Sequence, residues 1–184
     1  MSLDDNWEKM CYSTHCRSFG HQDKKGRVIM PQMNKGGKFI FGRSLIRENG
    51  LVQLPPQAVR EYDITAEGKV YLFTGSKITG GFCVTRQGLL GSSKLGHILQ
   101  DTPQLLNYTS EPGKFIPYKG RSYCWVPVTP SGEIQMPVDT LRFLSLSPGM
   151  YLLSIRSSDI AFTMGAKGPL LERAERYDGE IPVY

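Results

Sequence analysis

Cysteine and histidine are scarce in this chain: four Cys and three His among 184 residues. Four Cys cannot staple a domain of this size, so a disulfide scaffold is excluded. His15, His21 and His97 are the only imidazoles, which leaves few general bases for catalysis. Long apolar runs are also missing. The longest stretch without a charged residue is 13, Phe143 to Ile155, and Pro148 and Gly149 interrupt it. A spanning helix needs about 20 apolar residues, so an integral helical membrane protein is excluded. An export signal is not expected, because Asp4, Asp5 and Glu8 stand where a basic start and an apolar run are needed. Reduced thiols and a cytoplasmic location are therefore expected. The sequence contains no G-x-x-x-x-G-K-[ST], no H-E-x-x-H and no Ser/His/Asp spacing. Neither an enzyme nor a cofactor is expected.

Glycine and proline, by contrast, are plentiful, at 20 and 12 residues. Many turns follow, favouring a mainly β architecture with short helices over a helical bundle. Charge is unevenly spread. Residues 1–49 carry a net +4, residues 50–112 balance, and residues 113–184 carry +1, within a total of +5. The segment 24–47 holds Lys24, Lys25, Arg27, Lys35, Lys38, Arg43 and Arg47 and no acid. Such a run repels itself unless a polyanion or solvent screens it. Two readings stay open: a nucleic-acid contact surface, or a strand edge kept basic to prevent sheet-to-sheet association.

An internal repeat organises the rest. Residues 50–66, GLVQLPPQAVREYDITA, match residues 132–148, GEIQMPVDTLRFLSLSP, at an offset of 82. Gly50, Gln53, Pro55 and Arg60 face Gly132, Gln135, Pro137 and Arg142, and the apolar positions keep phase. After one inserted residue, Gly68 is matched with Gly149 and Leu72 with Leu153. Each unit reads as β-β-α-β-β. A strand (38–46 or 120–128) meets a Gly turn, then a short alternating strand, then Pro at a helix start. Val70–Thr74 and Phe82–Thr85, or Tyr151–Ile155 and Ile160–Met164, complete each unit. About 50 residues with one short helix cannot bury their apolar strands alone, so the two units are expected to share one core. The leucine-rich linker 88–108 and the segment 169–176 read as further short helices. The expected organisation is a basic arm at 1–37, a first repeat with its linker at 38–112, and a second repeat with a closing helix at 113–184.

The pattern G-x-[VI]-x-[LM]-P, with Arg at the sixth position from Pro, an aliphatic residue at the tenth and a Gly turn, occurs twice. It is carried by Pro55, Arg60, Ile64 and Gly68, and by Pro137, Arg142, Leu146 and Gly149. It resembles the AbrB/SpoVT-type swapped-hairpin domain, over roughly residues 38–85 and 118–165. The resemblance implies a swapped-hairpin β-barrel built from the two repeats of one chain, hence a pseudo-dimeric monomer or a small homo-oligomer. It also implies a DNA-binding transcriptional regulator. Lys35, Lys38, Arg43, Arg47 and Arg60 are the candidate phosphate contacts. Where the family commonly has Arg after the turn Gly, this chain has Leu51 and Glu133. A single working face on the first unit is therefore expected. The alternative is a barrel of the same architecture that binds a protein partner or a small ligand.

Cys11, His15, Cys16 and His21 fall within 11 residues and are all zinc-ligand types. Their spacing is not a standard one, and both a metal site and a plain flexible arm stay open; no metal ligands are assigned. Trp7, Tyr12 and Phe19 beside the basic run suit base stacking or anchoring on the barrel. Cys83 and Cys124 read as buried inert thiols, and His97 as a partly buried helix residue. The Gly165–Gly168 stretch suits either a phosphate cradle or a plain turn.

Overall fold

The computed structural model describes residues 38–184. The expected arm, with Lys35 and the Cys11, His15, Cys16, His21 cluster, lies outside the described residues. Strand β1 (Ile40–Leu45) leads through a turn to β2 (Leu51–Gln53), helix α1 (Pro56–Glu61), β3 (Lys69–Thr74) and β4 (Phe82–Thr85). Three short helices follow: α2 (Gln87–Gly91), α3 (His97–Asp101) and α4 (Pro103–Leu106). The second half repeats the order with β6 (Arg121–Pro127), β7 (Glu133–Gln135), α5 (Val138–Phe143), β8 (Tyr151–Arg156) and β9 (Phe162–Gly165). It adds an edge strand β5 (Ile116–Tyr118) before and α6 (Pro169–Glu175) after. The architecture is mainly β with short helices.

Local chemistry explains each unit. Gly50 and Gly132 turn the chain at φ 78° and 81°, a region that costs an L side chain dearly. Both glycines also leave no room for a Cβ, which would meet the Met136 carbonyl at 2.4 Å or the Val59 side chain at 2.8 Å. Pro55 and Pro137 cap helices of six residues whose apolar faces present Ala58, Tyr62 and Leu141 inward. Each helix then ends the same way. Asp63 and Ser145 take φ of 50° and 55°, and the next amides, Ile64 and Leu146, reach back to the carbonyls of Val59 and Leu141.

The two units exchange strands. The first strand of each pairs with the third strand of the other: β1 with β8, and β6 with β3, all antiparallel. Strand β2 pairs with β7, with Val52 opposite Ile134, and β4 pairs with β9. The pairing of β3 with β4 is likewise matched by that of β8 with β9; β5 with β6 has no such match among the described residues. The amide of Leu54 donates to the Gly132 carbonyl and that of Met136 to the Gly50 carbonyl, each at an offset of 82. The main core is accordingly shared: Val52, Leu54, Ile64, Val70 and Leu72 pack with Ile134, Met136, Leu146 and Leu152.

Two expectations need correction. The strands do not close into one barrel. They form an open seven-stranded sheet, β1-β8-β9-β4-β3-β6-β5, and a separate two-stranded ribbon, β2-β7. At the junctions only the single bridges Ile46↔Val52 and Val128↔Ile134 join sheet and ribbon. The turns at Gly50 and Gly132 fall directly after the first strands, and three-residue strands are too short to carry a continuous ladder around. The second correction concerns the inserted residue after the helices, which does not exist. The Ile46 amide donates to the Met150 carbonyl and the Val128 amide to the Gly68 carbonyl, so the offset of 82 persists and Gly68 stands opposite Met150 in the repeat. Leu153 therefore matches Tyr71, not Leu72. It packs on the outer face with Ile40, Ile155 and Ala174, while Leu72 lies in the main core. A shift of one residue in a strand exchanges its faces, so glycine identity is a poorer guide than apolar phase.

Helices cover the outer face of the sheet. The linker helices supply Leu90, Ile98, Leu99 and Leu105 against Tyr71, Phe73, Tyr123 and Trp125. Helix α6 supplies Ala174 against Leu153 and Ile155, with Leu170 and Leu171 packed alongside.

Leu146 is 5% exposed at the centre of the shared core. Leu146→Ala is expected to cost about 2–5 kcal/mol in urea unfolding, and Ile64→Ala, its counterpart, a similar amount. Independent loss of one half while the other stays folded would contradict a shared core. Burial also raises the phenols of Tyr71, Tyr108 and Tyr123 above their usual value of 10.0. Each phenol ionises first in the unfolded chain, so the stability it contributes is full below pH 10 and is lost as pH rises beyond it. Melting temperature is expected to fall as pH rises past about 10, and a flat profile from pH 8 to 11 would contradict this.

Candidate nucleic-acid interface

The candidate contacts lie along β1 and on α1. Lys38 is exposed just before β1, and Arg47 just after it. Nine residues of nearly extended chain separate them, roughly 30 Å, or about nine base pairs of duplex. The two cannot share one phosphate, but they can follow a backbone. Arg60 is exposed in the last turn of α1. Arg43 sits between Lys38 and Arg47 in sequence, but it is half-buried.

Their electrostatic surroundings differ. The Arg47 guanidinium pairs with Glu133 of the second unit at 3.5 Å, with side chains 49% and 26% exposed. Glu133 is held in turn by the Ser131 hydroxyl at 3.3 Å. Arg43 lies 5.8 Å from the centre of the Tyr151 ring, and its buried Nε has no hydrogen-bond partner. Its backbone N–H donates to the Pro182 carbonyl at 2.8 Å, and its carbonyl accepts from the Tyr184 N–H at 2.8 Å. Of the described candidates, Lys38 and Arg60 are exposed and enter no ion pair among the described residues.

The matched positions on the two helices differ in charge. On α5, Asp139 accepts from Arg142 at 2.7 Å. On α1 the position three before Arg60 is Gln57, not an acid. The neighbouring Glu61 is occupied by Arg156, whose guanidinium also stacks 4.3 Å from the Phe39 ring. The repeat thus keeps the arginine twice but neutralises it from within its own helix only in the second copy.

Two residues unassigned from sequence hold the turns in place. Gln53 donates from Nε2 to the Ser131 carbonyl at 2.9 Å, and Gln135 reaches the Asn49 carbonyl in the same way. Each glutamine laces the turn of the other unit, which accounts for their identity in the repeat. The Gly165–Gly168 stretch offers no phosphate cradle, because the Ala166 and Lys167 amides both donate to the Thr79 carbonyl, at 2.9 and 3.0 Å. Cys83 and Cys124 are buried on opposite faces of the sheet, and burial pushes the Cys124 thiol far above its ordinary value. His97 is exposed at the start of α3, not partly buried as expected, because Ile98 and Leu99 turn inward beside it. Among the described residues no group of three or more His, Cys, Asp or Glu gathers to hold a metal, and no helix is long and apolar enough to cross a membrane.

Glu133→Gln is expected to change stability by less than about 1 kcal/mol, since the Arg47 pair is solvent-screened. A loss above 2 kcal/mol in chemical denaturation would show that the pair holds the ribbon together.

A comparison with known protein families matched none, and a search of curated proteins found no match.

Proposed function

We propose that the chain is an AbrB/SpoVT-type swapped-hairpin protein, folded on itself as a pseudo-dimeric monomer or a small homo-oligomer, that binds DNA as a cytoplasmic transcriptional regulator. It works as a binding protein, not an enzyme. The observation that carries this reading is the charge asymmetry of the matched arginines: Arg142 is neutralised by Asp139, whereas Arg60 is exposed, with Gln57 at the matching position. A tandem on one chain is free of the rule that both halves of a true dimer present the same surface. One face can then gather cations while the other completes the core.

In this reading Lys38 and Arg60 neutralise phosphates directly, together with Lys35. Arg47 joins them by exchanging Glu133 for a phosphate oxygen. Neutralised phosphates release counterions, so log K falls with log salt by about 0.9 per contact. Three or four contacts correspond to a slope of roughly −3 to −4. Arg60→Ala is expected to weaken binding of a 30-base-pair duplex and to reduce the slope by about one, while Arg142→Ala has much less effect. Glu133→Gln is expected to tighten binding by freeing Arg47. Salt-independent association, or a larger loss from Arg142→Ala at matched stability, would refute the reading.

A second reading, a surface for a protein partner, is favoured by helix α5. Val138, 70% exposed, lines a groove of about 430 Å³ together with Met136, Leu141, Leu146 and Pro148. Co-purification of a stoichiometric protein that Val138→Ser releases, without salt-dependent DNA binding, would favour this second reading.

A further inference from the structure

The free edge of β1 is occupied by a distant part of the same chain. Residues 182–184 run parallel to it, with Val183 opposite Arg43. Besides the two bonds at Arg43, the Leu45 amide donates to the Tyr184 carbonyl at 2.9 Å. The Tyr184 ring sits over Gly42, where a Cβ would stand 2.6 Å from ring carbon Cε2. The position matching Gly42 in the second unit is Cys124, whose side chain is fully buried in the core. The first unit has thus given up a side chain at the place where the ring docks. Burial raises the Tyr184 phenol, and the Arg60 guanidinium pulls against that rise, so the ring lies within the field of the exposed arginine of α1.

The seat beneath this segment is poorly satisfied. Ser44 and Ser154 are fully buried and their hydroxyls have no hydrogen-bond partner. Their counterparts at the offset of 82 are Val126 and Leu72, both core residues. Two orphaned hydroxyls make this the weaker corner of the core. A segment held by three backbone bonds and one ring, on a weak seat, opens locally more readily than the whole domain. Ile181, buried against α6, anchors its start, so residues 182–184 can lift while Ile181 stays seated.

We infer that residues 182–184 are a strap that covers the Arg43 side of β1 and competes with a polyanion for that face. The strap rests on the DNA-binding reading for its ligand, but not for its existence. Seated, it takes both backbone groups of Arg43 and so fixes the backbone from which the guanidinium reaches Tyr151. Released, it frees Arg43 to join Lys38 and Arg47 in a row along β1, and it uncovers the approach to Arg60.

The test compares the full chain with a variant ending at Ile181, which keeps the buried anchor. The first readout needs no DNA. Arginine modification by phenylglyoxal, mapped by mass spectrometry, is expected to speed up several-fold at Arg43 and to rise at Arg60 in the shortened chain. Arg142, paired on the other unit, serves as the control and keeps its rate. The second readout is affinity for a fluorescein-labelled 30-base-pair duplex at fixed salt, expected to tighten several-fold on shortening. Unchanged modification at Arg43 overturns the strap. Faster modification with no duplex bound by either form upholds the strap and removes DNA as its ligand. Duplex bound by both forms with equal or weaker affinity after shortening overturns the competition. Tyr184→Ala, which keeps the chain length, is expected to show the same direction with a smaller effect; if it matches the full chain in both readouts, the ring has no part in the strap.

Discussion

The three-residue ribbon in which Val52 of one unit lies opposite Ile134 of the other is the constraint on which the rest depends. Both side chains are fully buried, and the two strands carry the chain from β1 and β6 into the helices. Neither β2 nor β7 has another partner strand within the unit that contributes it. Of the repeated strands, only β3 with β4 and β8 with β9 pair within a unit; β2 and β7 find their ladder in each other, and the exchange of β1 and β6 completes the arrangement. A unit of about 50 residues gains too little from burial to fold alone, and here the two share most of one core.

The two copies of the repeat agree in some details and differ in others. Where burial and backbone geometry are at stake, the copies agree: the Gly50 and Gly132 turns, the Pro-capped helices, the left-handed Asp63 and Ser145, the lacing glutamines. Where only charge or edge protection is at stake, they differ. Glu133 faces Arg47, Asp139 neutralises Arg142, and Gln57 leaves Arg60 without such a partner. The exposed edges of the sheet are protected differently too. Strand β5 pairs with β6 as an ordinary antiparallel neighbour, whereas β1 is covered by residues 182–184 in parallel. Uncovered edges invite association with other chains, so both solutions serve the same need.

The electrostatics moderate the picture given by a count of basic residues. Seven cations without an acid in 24 residues look like a continuous field. In the folded chain, residues distant in sequence answer some of them: Glu133 lies 86 positions from Arg47, and Tyr151 and the 182–184 segment close on Arg43. Local charge patterning cannot contain this information, because the compensating groups come from the other repeat.

Composition and periodicity by themselves determined that the chain is mainly β, that it consists of two β-β-α-β-β units, and where nearly every strand and helix lies. The reason is physical: Gly and Pro punctuate the elements, and apolar phase reports which face is buried. The shared core was legible as well, since neither unit could bury its own strands. Only the tertiary structure decided that the sheet stays open, because closure depends on how far short strands extend a ladder past a tight turn. Only it decided the true offset after each helix, which pairing across units sets and glycine identity does not. And only it separated Lys38, Arg43, Arg47 and Arg60: Lys38 and Arg60 exposed, Arg47 paired with Glu133, and Arg43 half-buried beside Tyr151 with its backbone bonded to residues 182–184. A side chain's availability depends on its neighbours in space, and those neighbours lie 86 to more than 100 residues away along the chain.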